Sequence, residues 1–425
     1  MRSFTRCRAR LLMGLYHSPW PPSQAIAPRL DPSSTVEEEK TPYYDSRFFY
    51  PAHLGQVLHD GRYQLATKLG HGSSSTVWLA RDLHREKYVA IKISSNRPRC
   101  SSKAADNELR ILQHISQQAT NHEGHHFVRR LLDSFTVDGK DGIPHQCLVL
   151  QPLREPLWLN CKRWPGGVIP PEVLKVMIQM MLLGIDYLHS ECQLIHTDLK
   201  LDNIMIKVED PIILERSARD EYDNPLPQKV THERTIYLAR NNYGKLVTPT
   251  GAIQITDFDL AVSGRESHTG PIQVESYRAP EVILDVGYSY SADIWNFGVM
   301  LWELLEGKRL FNPFESQNGN EYDDMLHLAQ LTALLGPRPK HVSAAGRRSS
   351  MFYNPDGTFK RPELVPKDLS FENAITEIRG EEKRKFIEFA KRMIKWDPCE
   401  RSTAKKLLEW RIRGSAPIFL NRRID

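Results

Sequence analysis

Cysteine is sparse in this sequence and never paired. Six are spread over 425 residues (Cys7, Cys100, Cys147, Cys161, Cys192 and Cys399) with no C-x-x-C spacing, which argues against a zinc site and a disulfide framework and favours a reducing compartment. Charge of one sign is lacking too. The 57 Lys and Arg against 52 Asp and Glu leave +5, too thin an excess over this length to build a nucleic-acid or membrane surface. No apolar run approaches the about 20 residues that cross a bilayer, so a soluble protein is expected. Acidic residues are missing before Asp31. There Arg2, Arg6 and Arg10 recur every four residues while Phe4, Cys7, Leu11 and Leu15 follow another helical face, a pattern that suits either a mitochondrial targeting peptide or a disordered basic tail. Pro19, Pro21, Pro22, Pro28 and the charged run at Glu37–Lys40 favour the tail.

What is present is ordinary globular composition, with 40% hydrophobic and 26% charged residues, and length enough for two or three domains or lobes. Folded sequence is expected from about Tyr50. Two strand-like runs surround a Gly70-His71-Gly72 turn in which backbone could approach a phosphate closely, Ser75 standing where a third glycine often occurs. A further strand, Tyr88–Ile93, carries Lys92 among apolar residues and therefore calls for a charged partner. Helical spacing places Glu108 with Ile111, Leu112 and Ile115 on an inward face, making it the expected partner of Lys92. Cys147–Leu153 reads as a buried strand running into a linker.

The second half opens with a helix over about Pro171–Cys192, with Val173, Val176, Met177, Met180 and Leu188 as core. It leads to His196-Thr197-Asp198-Leu199-Lys200-Leu201-Asp202-Asn203, where an H-x-D-x-K-x-x-N spacing gathers an acid, a base and an amide in one polar loop. Strand-like Ile253 and Ile255 precede Asp257-Phe258-Asp259. Between them lies a surplus, residues 210 to 250, whose Pro211, Pro225, Pro227, Pro249 and mixed charges read as an exposed or partly disordered insertion. Ala279-Pro280-Glu281 follows, then a helix from Ala292 to Gly307 that is apolar on nearly all sides. Asp293 at its start and Arg401 read as structural charges, Arg401 as a partner for Glu281.

These ordered motifs resemble those of eukaryotic protein kinases over residues 50 to 413. The resemblance is closer to the SR-protein-specific serine/threonine kinases, through Tyr50-Pro51, Gly61-Arg62-Tyr63, the Leu69–Leu79 glycine-rich stretch with Ser75, His196-Thr197-Asp198, Ser276-Tyr277-Arg278 and Ala292–Trp295. It implies an α+β, two-lobed kinase fold: an N-terminal extension at 1–49, a small β-rich N-lobe at 50–153, a larger helical C-lobe at 154–413 with the insertion at 210–250, and a tail at 414–425. It also implies ATP and Mg2+ as cofactors. Asp198 would handle the hydroxyl proton, Lys200 the γ-phosphate, and Asn203 and Asp257 the metal, with Lys92 and Glu108 completing the catalytic set. ATP would be held by Leu69, Gly70, Gly72, Val77, Ala90, Lys92, Gln151, Leu153 and Met205. Expected partners are protein substrates, including Arg/Ser-rich splicing-type proteins, with no direct nucleic acid, no membrane and a monomeric state. Cytoplasmic and nuclear location is expected, the mitochondrial reading of the N-terminus being the alternative.

Two departures qualify the resemblance. Asp259 replaces the glycine usual after Asp-Phe, which together with Ser75 raises the alternative of a pseudokinase scaffold. Leu326 and Ala333 stand where the family has docking acids ahead of Leu334-Leu335-Gly336, leaving Glu275, Glu321, Asp323 and Asp324 as candidates to meet arginine and a related proline-directed kinase as a further reading.

Overall fold

A computed structural model describes residues 18–42, 44–96, 101–139, 142–244, 246, 251–315, 321–339 and 346–410. The arginine-bearing stretch 1–17, the one read as a targeting signal or tail, lies outside them, as does the tail 414–425. The chain forms two compact units. The first comprises the described residues up to Ala105, then Leu131–Pro152 and Asp210–Tyr243; the second comprises Asp106–Arg130, Leu153–Glu209 and the described residues from Gly244 on.

The first unit is built on an antiparallel sheet of β1 (Val57–Leu58), β2 (Tyr63–Gly72), β3 (Ser75–Asp82), β4 (Lys87–Ser94), β5 (Leu131–Asp138) and β6 (Pro144–Leu150), in the order β1-β2-β3-β4-β6-β5. Strand alternation sorts its side chains. Val89, Ile91, Ile93, Trp78, Ala80, Cys147 and Val149 point to one face and make a buried cluster with Tyr63, Leu65 and Phe135. Ala90 and Lys92 necessarily point to the other. On the clustered face the sheet is covered by two segments that the sequence reading had left outside the core.

One of them is the insertion. Instead of an exposed loop, residues Ile212–Asp223 form a helix and Gln228–Val230 pairs with Thr235–Tyr237 as a hairpin, with Tyr237 entering the sheet's buried cluster and standing edge-on to Trp78 at 5.5 Å. The other is the N-terminal segment, expected to be disordered or targeting up to residue 49, whose described part is tied to the insertion. Arg29 bridges Gln228, the Lys229 ammonium donates to Glu39 (2.7 Å) and the Ser34 carbonyl (2.9 Å), and Ser46 donates to Glu233 (2.6 Å). A buried charge cluster lies beneath: Lys68 of β2 is ion-paired with Glu38 and donates to the Tyr237 carbonyl at 3.0 Å, while Arg234 reaches the other oxygen of Glu38 at 3.4 Å. Trp20 is stacked between the guanidinium groups of Arg81 and Arg219 (4.3 and 4.4 Å) and exchanges two hydrogen bonds with the buried Gln64 amide. The hydrophobic partners of this segment are thus far away in the chain, so no local periodicity announces them.

The second unit is mostly helical. Helix α1 (Ser101–Gln117) belongs to it from Asp106 on and buries Glu108, Ile111, Leu112 and Ile115, as the spacing predicts. The stretch Pro165–Ser190 is long and apolar enough to cross a membrane, contrary to the sequence reading, because Glu172, Lys175 and Asp186 interrupt the run without much lowering its average. Its helix, Pro171–Ser190, is a core element with Leu174, Met177, Met181, Leu182, Ile185 and Leu188 buried. Helix Ser291–Glu306 is buried almost all round and ends at Gly307, whose φ of +65° is the left-handed cap that glycine adopts without strain. Glu281 and Arg401, both fully buried, form the expected bidentate pair at 2.6 and 2.7 Å.

Candidate active site

In the first unit the strand register aligns the predicted nucleotide-binding residues. Gly70 lies opposite Val77, Val77 opposite Lys92, and Lys92 opposite Leu148, one continuous row across β2, β3, β4 and β6 on the face away from the apolar cluster. Ala90, between Leu79 and Leu150, sits in the next row of that face. Lys92 is half-buried there. Gly70 has a negative φ, and a Cβ built on it would meet nothing within 4 Å, so neither backbone geometry nor protein packing demands glycine at this point. What a side chain would take up is open space, as a phosphate cradle requires. Leu69 flanks this row, Gly72 pairs with Ser75 at the turn, and Gln151, at the end of β6, is exposed.

In the second unit two small antiparallel sheets place the polar loop. Leu194–Ile195 pairs with Val262–Ser263, and Ile204–Lys207 pairs with Ile253–Ile255 on one side and Leu153–Pro156 on the other, which sets Met205 beside Gln254 and Leu153 beside Lys207. Between these sheets, the Thr256 amide donates to the Asn203 carbonyl at 2.9 Å, bringing residue 257 next to the loop. The loop itself is hung on Asp293. This buried carboxylate accepts from the amides of His196 (2.8 Å) and Thr197 (2.9 Å) and from His189 Nε2 (2.9 Å), while the Asn296 amide donates to the Leu199 carbonyl. That network compensates a left-handed backbone at Thr197 (φ +69°), and Asp257 is likewise left-handed (φ +67°). Asp259 is not, so its replacement of glycine costs no backbone strain.

Asp198, Lys200 and Asn203 are brought together. Lys200 Nζ donates to Asp198 Oδ2 at 2.7 Å, and Asn203 Nδ2 donates to the Asp198 carbonyl (2.9 Å) and to Oδ2 (3.0 Å). Burial opposes the Lys200 charge, but the Asp198 hydrogen bond and the charges of Asp198, Asp202 and Asp257 outweigh it and raise its pKa. Nearby, burial pulls the Arg129 guanidinium down to about 10 against the opposing pull of Glu108 and Asp257. Sequence reading missed Arg129 and Asn107, because only the fold carries them to the site, and gave no role to Asp202, which stands within the polar loop itself. Of the hydroxyl residues that follow Asp257, Ser276 is buried, while Ser267 and Thr269 are exposed.

Residues 63–411 match the protein kinase domain family. The chain belongs to that family. A serine/threonine protein kinase of Aspergillus fumigatus is 37% identical over 403 residues, which cover 94% of this chain and 97% of that one. The serine/threonine-protein kinase SRPK of Physarum polycephalum is 30% identical over 90% of this kinase and 93% of its own length, and the protein kinase dsk1 of Schizosaccharomyces pombe 26% identical over 90% and 87%. Among solved structures, the PF14_0431 kinase domain is similar with a TM-score of 0.66 at 25% identity, covering 87% of this kinase and 99% of that domain. The protein is therefore a serine/threonine protein kinase, with the ATP use and protein substrates that this entails, and the α+β kinase fold expected from sequence is the fold observed.

Proposed function

We propose that this kinase phosphorylates serines flanked by arginine, with Asp198 as the group that orients the substrate hydroxyl and accepts its proton. Relatedness to SRPK over nearly the whole chain supports the substrate class. Of the four acids nominated to meet arginine, two are spent inside the fold. Asp323 caps helix Asp324–Leu335 by accepting from the amides of Met325 (2.5 Å) and Leu326 (3.4 Å), and Asp324 holds Arg348 at 2.6 Å and Arg278 at 3.8 Å. Glu275 and Glu321 remain exposed, and they are the observation that carries the arginine preference. With two of the four nominated acids exposed, recognition of arginine beside the serine is retained and distant docking of long Arg-Ser repeats is weak.

The residues present fit a magnesium ion. Asn203 spends its amide donors on Asp198, so its carbonyl Oδ1 faces away as a hard oxygen donor, and Asp257 supplies a carboxylate. Among the described residues no three His, Cys, Asp or Glu side chains gather into a metal group, and one or two protein ligands suit a magnesium ion that also takes phosphate oxygens. When bound, such an ion would neutralise phosphate charge. Lys200, held charged beside Asp198, steadies the transferred group, Lys92 contacts nucleotide phosphates, and the Gly70 backbone lets them approach.

The test is a degenerate serine peptide library with magnesium and ATP. Arginine should be selected next to the serine, and the preference should fade with salt, since exposed ion pairs are screened over about 10 Å at 0.1 M. Selection of proline after the serine with no response to arginine would replace this reading by a proline-directed one.

A further inference from the structure

Asn107 stands one residue before Glu108 on α1. Its Nδ2 donates to two backbone carbonyls beyond the Asp257-Phe258 pair, that of Asp259 at 2.7 Å and that of Ala261 at 3.1 Å, and its Oδ1 accepts from Arg110 Nη2 at 2.8 Å. The amide can sit only one way round, because the carbonyls only accept and the guanidinium only donates. The carbonyl between these two, that of Leu260, accepts from Thr197 Oγ1 at 2.9 Å. Three successive carbonyls are therefore fastened by two neutral side chains, one from α1 and one from the catalytic loop. Phe258, just before them, is buried with its ring 5.1 Å from that of His196, and His196 Nε2 is bonded to the Thr256 carbonyl at 3.0 Å.

We propose that Asn107 is a positioning residue: its two-pronged amide locks the helix that carries Glu108 to the segment that carries Asp257, so that both acids stand in working register without any phosphate on the activation segment. An aspartate could not do this. It has the same shape but no donor, and would set a carboxylate against two carbonyl oxygens. The inference rests on the kinase assignment and not on the substrate class.

The experiment uses the full-length protein with a generic basic protein substrate and compares Asn107→Asp and Asn107→Ala with the wild type. Loss of two hydrogen bonds predicts a fall in kcat of on the order of tenfold. KM for the protein substrate and the melting temperature should stay put, and amide exchange should quicken at residues 258–263 and 106–112 only. A kcat within twofold of wild type, or unchanged exchange over 258–263, overturns the proposal. Arg110→Ala, which frees the amide to turn without deleting it, guards against a variant that merely misfolds. It should move kcat and the same local exchange in the same direction by less, and wild-type values in both would also overturn the lock. A wild type with no turnover would defeat the kinase reading instead, and the exchange comparison would still decide the lock.

Discussion

Asp198 accepts two hydrogen bonds at its carboxylate and one at its backbone carbonyl and lies 8% exposed, so its carboxylate is preset rather than mobile. Asp198→Asn removes the proton acceptor while keeping the shape, and Lys92→Met removes charge from the sheet face. Each should lower kcat/KM by on the order of a hundredfold or more in steady-state phosphorylation assays, as loss of proton transfer or charge stabilisation does. These residues were legible in sequence because their spacing within one loop or strand is itself the chemistry. Thr197, just before Asp198 in that loop, carries no charge. The structure adds that its hydroxyl holds Leu260 and that the activation segment is otherwise fastened, Gly264 to the Gln193 carbonyl (2.8 Å), Tyr288 to that of His268 (3.0 Å), and Gly270 to Asp285 (3.1 Å). Phosphatase treatment should therefore leave turnover unchanged, and a loss restored by rephosphorylation would contradict this. His327 was not legible at all. Burial drives its pKa down to about 3, with Arg278 adding to the effect, and its Nε2 has no partner among the described residues. Because the unfolded chain binds the proton near pH 6.5 and the folded one does not, stability is complete above that pH and declines as pH falls towards 3. Between pH 6.5 and 5 the loss is about 2 kcal/mol, and His327→Leu should flatten the corresponding fall in melting temperature.

At the scale of elements, the sheet, α1 and the helices at Pro171 and Ser291 could be read from strand alternation and helical spacing, since each buries one face against its own neighbours. The insertion could not. Its apolar residues, Leu214, Ala218, Ile236 and Tyr237, are few and separated by charges, and they become core only because the back of the sheet receives them. Its charges are likewise not solvent-facing decoration: Arg240 binds Glu221 at 2.7 Å and its amide donates to the Lys68 carbonyl at 2.8 Å, just ahead of the glycine-rich turn. Glu38→Gln would leave Lys68 and Arg234 buried with one carboxylate fewer, a loss of about 3 kcal/mol by analogy with other broken buried pairs. Thermal melting should show it as a drop of several degrees. Replacing residues 210–243 by a short Gly/Ser turn should do worse and strip soluble expression, whereas an unchanged melting curve would return the segment to the status of a dispensable loop.

For the whole molecule, the first unit is assembled from three stretches of chain, and its earliest stretch has partners about as far away as the sequence allows within it: Lys229 and Glu39 are 190 residues apart. A fragment that begins at Tyr50, where motif reading would start the kinase, should accordingly melt lower than one that begins at Ser18 and be harder to keep in solution, as measured side by side at equal concentration. The same separation has a consequence in time. A chain growing at about 5–20 residues per second exposes Glu38 and Glu39 roughly 10 to 40 seconds before Lys229 and Arg234 have been made. During that interval the nascent sheet lacks the hairpin that completes the cover of its back, Glu38 has Lys68 but not yet Arg234, and Glu39 has no Lys229, so the period of greatest need for a chaperone falls midway through synthesis and ends only when the ribosome has passed residue 240.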